Sequence, residues 1–160
     1  KEKGKTAPAV PEAVKSYLAD TSSFAPEWSG NFLRMLPQPV QDVYPLLREH
    51  LRILSAGICM GEAKGKDFIP AEELALSTVL RPDAFPVADL DWDDAIRYLK
   101  KEALLLPAGT EKGYALVRYK KFPLGFAKHL GNRANNLYPQ EWRIRTGYMP
   151  ERVKTFDMTV

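Results

Sequence analysis

Between residues 122 and 143 the chain interleaves two glycines with aromatics, amides and spaced basic residues, and Glu141 is the one acid there. Glycine lets backbone pass close to a large ligand or to another segment. Aromatic faces stack on unpaired bases, and Lys and Arg meet phosphates. The stretch reads as a loop and strand pair turned toward RNA.

Charge is segregated in the same direction. Residues 1–111 hold 13 Lys and Arg against 17 Asp and Glu, a balance of −4, while residues 112–160 hold 10 against 3, a balance of +7. A basic end set apart from an acidic remainder is the footprint of a surface for a polyanion; ordinary solvated charge is the plain alternative. A chain of 160 residues suffices for one ordinary domain or two small ones sharing a core. No apolar run approaches the ~20 residues that a bilayer crossing needs, so no membrane partner is expected. The opening Lys1-Glu2-Lys3-Gly4-Lys5 has neither an initiator Met nor a signal segment, which points to a piece of a longer chain. Cys59 is the single cysteine, so no disulfide forms within the chain, and a cytoplasmic location fits.

Residues 1–10 read as a linker and 11–19 as a short helix, with Val14, Tyr17 and Leu18 on one face. A strand is expected at 32–36. Val40, Val43, Tyr44 and Leu47 then fall on one helical face, and Pro45 requires that helix to start late or kink. Residues 51–60 read as a buried strand in which Gly57 marks a bulge or a close crossing. A polar loop over 61–67 and a short strand at 68–69 follow. Pro70 opens a helix that ends before Arg81-Pro82. Residues 85–87 read as extended. Asp91 is expected to cap a helix with the stripe Ala95, Ile96, Leu99 and Ala103. Capping and solvation account for the five acids between Asp83 and Asp94, and no metal is assigned to them. The remainder reads as β, with strands at 104–106, 114–119, 122–128 and 142–145, a turn at Lys120-Lys121, and a frayed end.

Residues 51–143 carry an ordered set of motifs. They are Gly57-Ile58-Cys59-Met60-Gly61-Glu62, the basic hairpin Lys64-Gly65-Lys66, and Pro70-Ala71-Glu72-Glu73-Leu74-Ala75-Leu76. Tyr98-Leu99 follows in the acid-capped helix. Then come Pro123-Leu124-Gly125-Phe126-Ala127-Lys128, Gly131-Asn132-Arg133, Asn136-Leu137-Tyr138-Pro139 and Arg143. In order and spacing this resembles the C-terminal region of RsmF-type enzymes, S-adenosylmethionine-dependent RNA cytosine-5 methyltransferases of the Sun family.

The resemblance implies an α+β fold, a small mixed α/β module followed by a PUA-like β-barrel with flanking helices. It implies a linker and short helix over 1–23, a first C-terminal module over 24–88, a PUA-like RNA-binding domain over 89–147 and a tail over 148–160. The implied partners are RNA, ribosomal or else transfer RNA, and the catalytic domain of the same chain. In one departure, Asn135 stands where the family usually has Lys, which weakens one phosphate contact. Such enzymes hold S-adenosylmethionine in an α/β domain and use two cysteines, one to attack the cytosine ring and one to assist release. Here Cys59 stands alone between Ile58 and Met60, and no Gly-rich strand–helix turn exists. The chain is therefore expected neither to hold the cofactor, which belongs to the parent protein, nor to catalyse methyl transfer.

Lys128 and Arg133 are candidate phosphate contacts. Arg143 and Arg145 alternate and would share one face, and Lys120 and Lys121 add charge at the turn. Asn136 either reads a base edge or bonds its own backbone in a turn. Tyr138 either stacks on a base or closes the core; Phe126, Trp28 and Trp92 are assigned to packing. His50 and His129 lack a second ligand at zinc spacing. The expected role is to hold RNA for a catalytic domain outside this chain. The alternative is a buttress for that domain that touches RNA little. Converging cations would mark the first, and scattered cations with an exposed apolar patch the second.

Overall fold

Three two-residue turns, at 30–31, 65–66 and 120–121, close hairpins within two four-stranded sheets; the computed structural model describes residues 9–148. In the first sheet β1 (Phe24–Ser29), β2 (Phe32–Pro37), β3 (Ile58–Lys64) and β4 (Asp67–Pro70) lie in chain order, each antiparallel to the one before. Four short helices accompany it: α1 (Glu12–Lys15), α2 (Gln38–Gln41), α3 (Tyr44–His50) and α4 (Glu72–Ala75). The second sheet comprises β5 (Val87–Leu90), then, after helix α5 (Trp92–Leu99), β6 (Gly113–Tyr119), β7 (Phe122–His129) and β8 (Ala134–Asn136). β5 and β6 run parallel, a pairing that needs a crossover, and α5 lies in it. The other pairs are antiparallel. The architecture is α+β, as the sequence implied; the second sheet is an open row of strands, and no barrel closure is seen among the described residues.

The second sheet is the middle layer. Along β6 and β7 the side chains alternate between two cores, as a period of two requires. Leu116 and Phe126 point toward the first sheet and join Leu33, Met35, Met60 and Leu74 in one cluster. Val117 and Ala127 point the other way and pack with Ala95 and Tyr98 of α5. The two sheets therefore share a core, and a residue on β7 is held from both sides. The Asp91 carboxylate Oδ1 accepts from the Asp94 N–H at 2.9 Å, capping α5 as expected. Asp91→Ala should cost about 1 kcal/mol, read as a lowered urea midpoint at unchanged m; an unchanged midpoint would show that tertiary packing alone sets this helix.

Several expected elements differ. The strand expected over 51–60 begins only at Ile58, because Gly57 takes φ +62° where β3 comes against Met35. Before it the chain is irregular, with Leu51 and Leu54 exposed. The polar loop expected over 61–67 is instead a continuation of β3 and a tight turn at Gly65-Lys66. The helix expected around 40–47 is split into α2 and α3, with Pro45 in the first turn of α3, and neither helix buries a residue. Residues 104–106 contribute one bridge, Leu104 to Ala134, not a strand. Residues 142–145 are not a strand; β8 is the fourth member of that sheet. β1 was not foreseen either. Residues 1–8 of the linker expected over 1–10, and the final ten residues, lie outside the described residues.

Candidate nucleic-acid interface

Lys128 sits near the C-terminal end of β7, paired across to Tyr114 on β6 and Asn135 on β8. Its Nζ lies 2.7 Å from Asp67 Oδ2 of the first sheet and 5.0 Å from the centre of the Tyr114 ring. The hydrogen bond to Asp67, and after it Tyr114, hold the ammonium above the ordinary lysine range. Lys128 thus stays charged, at the seam between the sheets.

Beyond it the chain turns toward β8. Leu130 N–H donates to the Arg133 carbonyl at 2.8 Å, which closes the turn and leaves the Arg133 side chain exposed. Gly131, at φ +104°, sits beneath the Lys112 side chain; a Cβ there would come within 2.9 Å of Lys112 Cε. The His129 ring lies between two backbone oxygens, with Nδ1 3.2 Å from Glu111 O and Nε2 3.2 Å from Gly131 O. Both partners only accept, so the ring lies between the segment before β6 and the turn after β7, and a neutral ring donates to one of the two oxygens. One end of the second sheet therefore presents Lys112, Lys128 and Arg133 together. Lys112 had no local signal, because only the register Gly113 to His129 brings it there.

The other candidates lie elsewhere. Lys120 and Lys121 form the opposite end of the β6–β7 hairpin, with Lys120 Nζ 5.9 Å from the Tyr119 ring centre. Arg143 and Arg145 are exposed on either side of Ile144, whose N–H donates to Leu99 O at 2.9 Å. They flank the end of α5 without a strand to order them. Asn136 uses its amide internally: Nδ2 donates to Tyr98 O at 2.8 Å and Glu102 O at 3.1 Å, and Oδ1 accepts from Tyr138 N–H at 2.9 Å. Tyr138 packs edge-on against Tyr98 at 5.4 Å and Trp142 at 6.4 Å. Phe126 is buried against Phe85, and Trp92 meets the edge of Tyr119. Cys59 is buried, and burial pushes its thiol up, away from the thiolate a nucleophile needs. Among the described residues no group of three His, Cys, Asp or Glu side chains is placed to hold a metal, and no helix is long and apolar enough to cross a membrane.

This is an α+β accessory domain with an exposed cationic end on its central sheet. Residues 85–144 match the family model described as the methyltransferase RsmF PUA domain, and the chain carries an RsmF-type PUA region. Two relatives are named ribosomal RNA small subunit methyltransferase F. That of Shewanella pealeana is 34% identical over 110 residues, covering 67% of this chain and 20% of the relative. That of Shewanella loihica is 32% identical over 101 residues, covering 62% of this chain and 20% of the relative. The chain spans about a fifth of the length of the curated relatives it matches.

Proposed function

We propose that this chain is the RNA-holding part of a ribosomal RNA cytosine-5 methyltransferase, and that it positions RNA for a catalytic domain outside it. The observation that carries this reading is the cationic sheet end of Lys112, Lys128 and Arg133 inside the segment that matches the PUA family. Binding would rest on phosphates displacing counterions, with discrimination from RNA shape and a few unstacked bases. Ribosomal RNA is the substrate of choice, with transfer RNA second, and a cytoplasmic location goes with either.

Methyl transfer belongs to the rest of the parent protein. The residues here do not fit S-adenosylmethionine. At the one parallel strand–helix step among the described residues, β5 to α5, the Asp91 carboxylate occupies the helix N-terminus where a glycine cradle would be needed. With the lone Cys59 buried, the chain by itself should not be catalytic.

A second reading has its own observation. Val43, Leu46 and Leu47, on and just before α3, and Leu51 and Leu54 after it, are exposed. That apolar row favours a surface buttressing another part of the parent protein.

Fluorescence anisotropy with a labelled small-subunit ribosomal RNA hairpin, titrated across salt, separates the two. Lys128→Ala/Arg133→Ala should weaken binding about tenfold and reduce the log–log salt slope by roughly 1.5. No binding at low salt, or binding indifferent to the double substitution, would leave the buttress.

A further inference from the structure

We infer that the RNA-binding face is shared by both sheets, with the β3–β4 hairpin lysines Lys64 and Lys66 meeting phosphates beside Lys112, Lys128 and Arg133. The inference deepens the RNA reading above and rests on it.

The hairpin meets the second sheet at one ion pair, while the shared core beneath fixes its place. Lys64 and Asp67 face each other across the β3–β4 ladder, with Gly65 and Lys66 forming the turn between them. Asp67 Oδ2 then reaches Lys128 Nζ at 2.7 Å. The tip of the first sheet therefore lies against the basic end of the second. The cost of ordering a flexible hairpin on RNA is reduced, because shared packing beneath it already fixes both sheets.

The charges at this seam are available. Lys64, Lys66, Lys112 and Arg133 are all exposed, and none has an ion-pair partner among the described residues. By contrast Arg34, Arg48, Arg81, Arg97 and Arg118 are each matched by a carboxylate. Asp67 is engaged by Lys128, and with Glu62 two residues before Lys64 and Glu111 beside Lys112, three acids stand in this set against the five cations Lys64, Lys66, Lys112, Lys128 and Arg133. A row of free ammonium and guanidinium groups, with no pocket shape imposed, matches the spaced anions of a nucleic-acid backbone rather than one small anion.

Asp67 gives the test a variant that gains rather than loses. Neutralising it frees Lys128 and removes the one carboxylate bound into the seam, and a gain in binding does not arise from misfolding. The experiment is salt-titrated anisotropy of the whole chain with the same ribosomal RNA hairpin. Lys64→Ala/Lys66→Ala should weaken binding about fivefold to tenfold and lower the salt slope by roughly 1.5, and Asp67→Asn should tighten binding severalfold. Binding by Lys64→Ala/Lys66→Ala equal to that of the parent chain, while Lys128→Ala/Arg133→Ala weakens, would overturn the shared face and leave the RNA reading standing. An Asp67→Asn variant that binds no tighter would also overturn it. If neither double substitution changes binding, the RNA reading fails and this inference with it.

Discussion

Gly125→Ala should cost the chain about 3–5 kcal/mol, enough to bring a domain of ordinary stability close to unfolding. Gly125 is buried in β7 at φ +145°, a conformation left to glycine, and holding alanine there costs roughly 1–3 kcal/mol. The space is also taken. A Cβ at this position would fall closer than 3.0 Å to Tyr98 Oη and to both carboxylate oxygens of Glu72. Tyr98 cannot retreat, whereas the Glu72 carboxylate, at the end of a flexible side chain, can shift. Tyr98 is fully buried, and its hydroxyl donates to the Phe126 carbonyl at 3.0 Å. Glu72 comes from α4, which packs on β7 from the first sheet's side. Overpacking adds roughly 1–3 kcal/mol. Thermal unfolding followed by circular dichroism should show the melting temperature falling by roughly 10 °C or more. A shift within about 2 °C would mean that the notch at Gly125 is not the junction between the sheets that the packing makes it. RNA affinity should fall with the fold, since Lys128 lies on the same strand.

That junction explains which parts of the fold were legible. Local rules act over a few residues; they gave the α5 cap and the β6–β7 hairpin, but the helix expected from Pro70 to before Arg81 is the single turn α4. Asp91 caps α5 because its side chain reaches a backbone N–H three residues on. Strands β6 and β7 alternate in sequence as they alternate between cores, and Lys120-Lys121 is the turn between them. Elements set by a distant partner were misread. β8 is three residues with two asparagines, and it is a strand only because β7 pairs with it. Leucine and isoleucine at residues 51–54 imitate a strand, but the left-handed turn at Gly57 admits the chain to the sheet only afterwards. β1 holds Pro26, which an edge strand tolerates and a local pattern does not announce.

The candidate site divides in the same way. The sequence motif pointed to Lys128 and Arg133, and the turn between β7 and β8 places them at one sheet end. Lys120 and Lys121, called for by charge alone, lie at the other. Asn136 carried two readings. Its amide meets backbone of α5, of the segment after it and of Tyr138, contacts whose partners at Tyr98 and Glu102 lie more than thirty residues away. The Asp67 partner of Lys128 is 61 residues distant, and no spacing rule connects them.

Glu72→Gln should flatten a fall in stability that the parent chain shows between about pH 4.5 and 8. The Glu72 carboxyl is directed into the seam between α4 and β7, and its Oε1 is buried with no hydrogen-bond partner among the described residues. Burial raises its pKa, and Lys101 offsets this only in part, so the group is pushed up to about 8 from an ordinary 4.5. The folded state therefore holds a proton that the unfolded state releases across this window. Where the native state binds more protons, stability falls as pH rises, by at most about 1.4 kcal/mol per unit. The side chain keeps some solvent contact, so a total of about 2–3 kcal/mol is the reasonable expectation. The stabilising contribution is complete below pH 4.5 and gone above pH 8. Glutamine keeps the shape and stays neutral, so the variant should match the parent near pH 5 and exceed it by a few kcal/mol near pH 9. Urea midpoints measured for both proteins at pH 5, 7 and 9 decide this, because groups that do not interact with Glu72 cancel in the difference. Parallel pH profiles would show that Glu72 finds solvent or a partner in solution. A diverging pair would identify the contact between the first sheet and the PUA sheet as one that weakens in alkali, and with it the surface on which Lys64, Lys66 and Lys128 are held together.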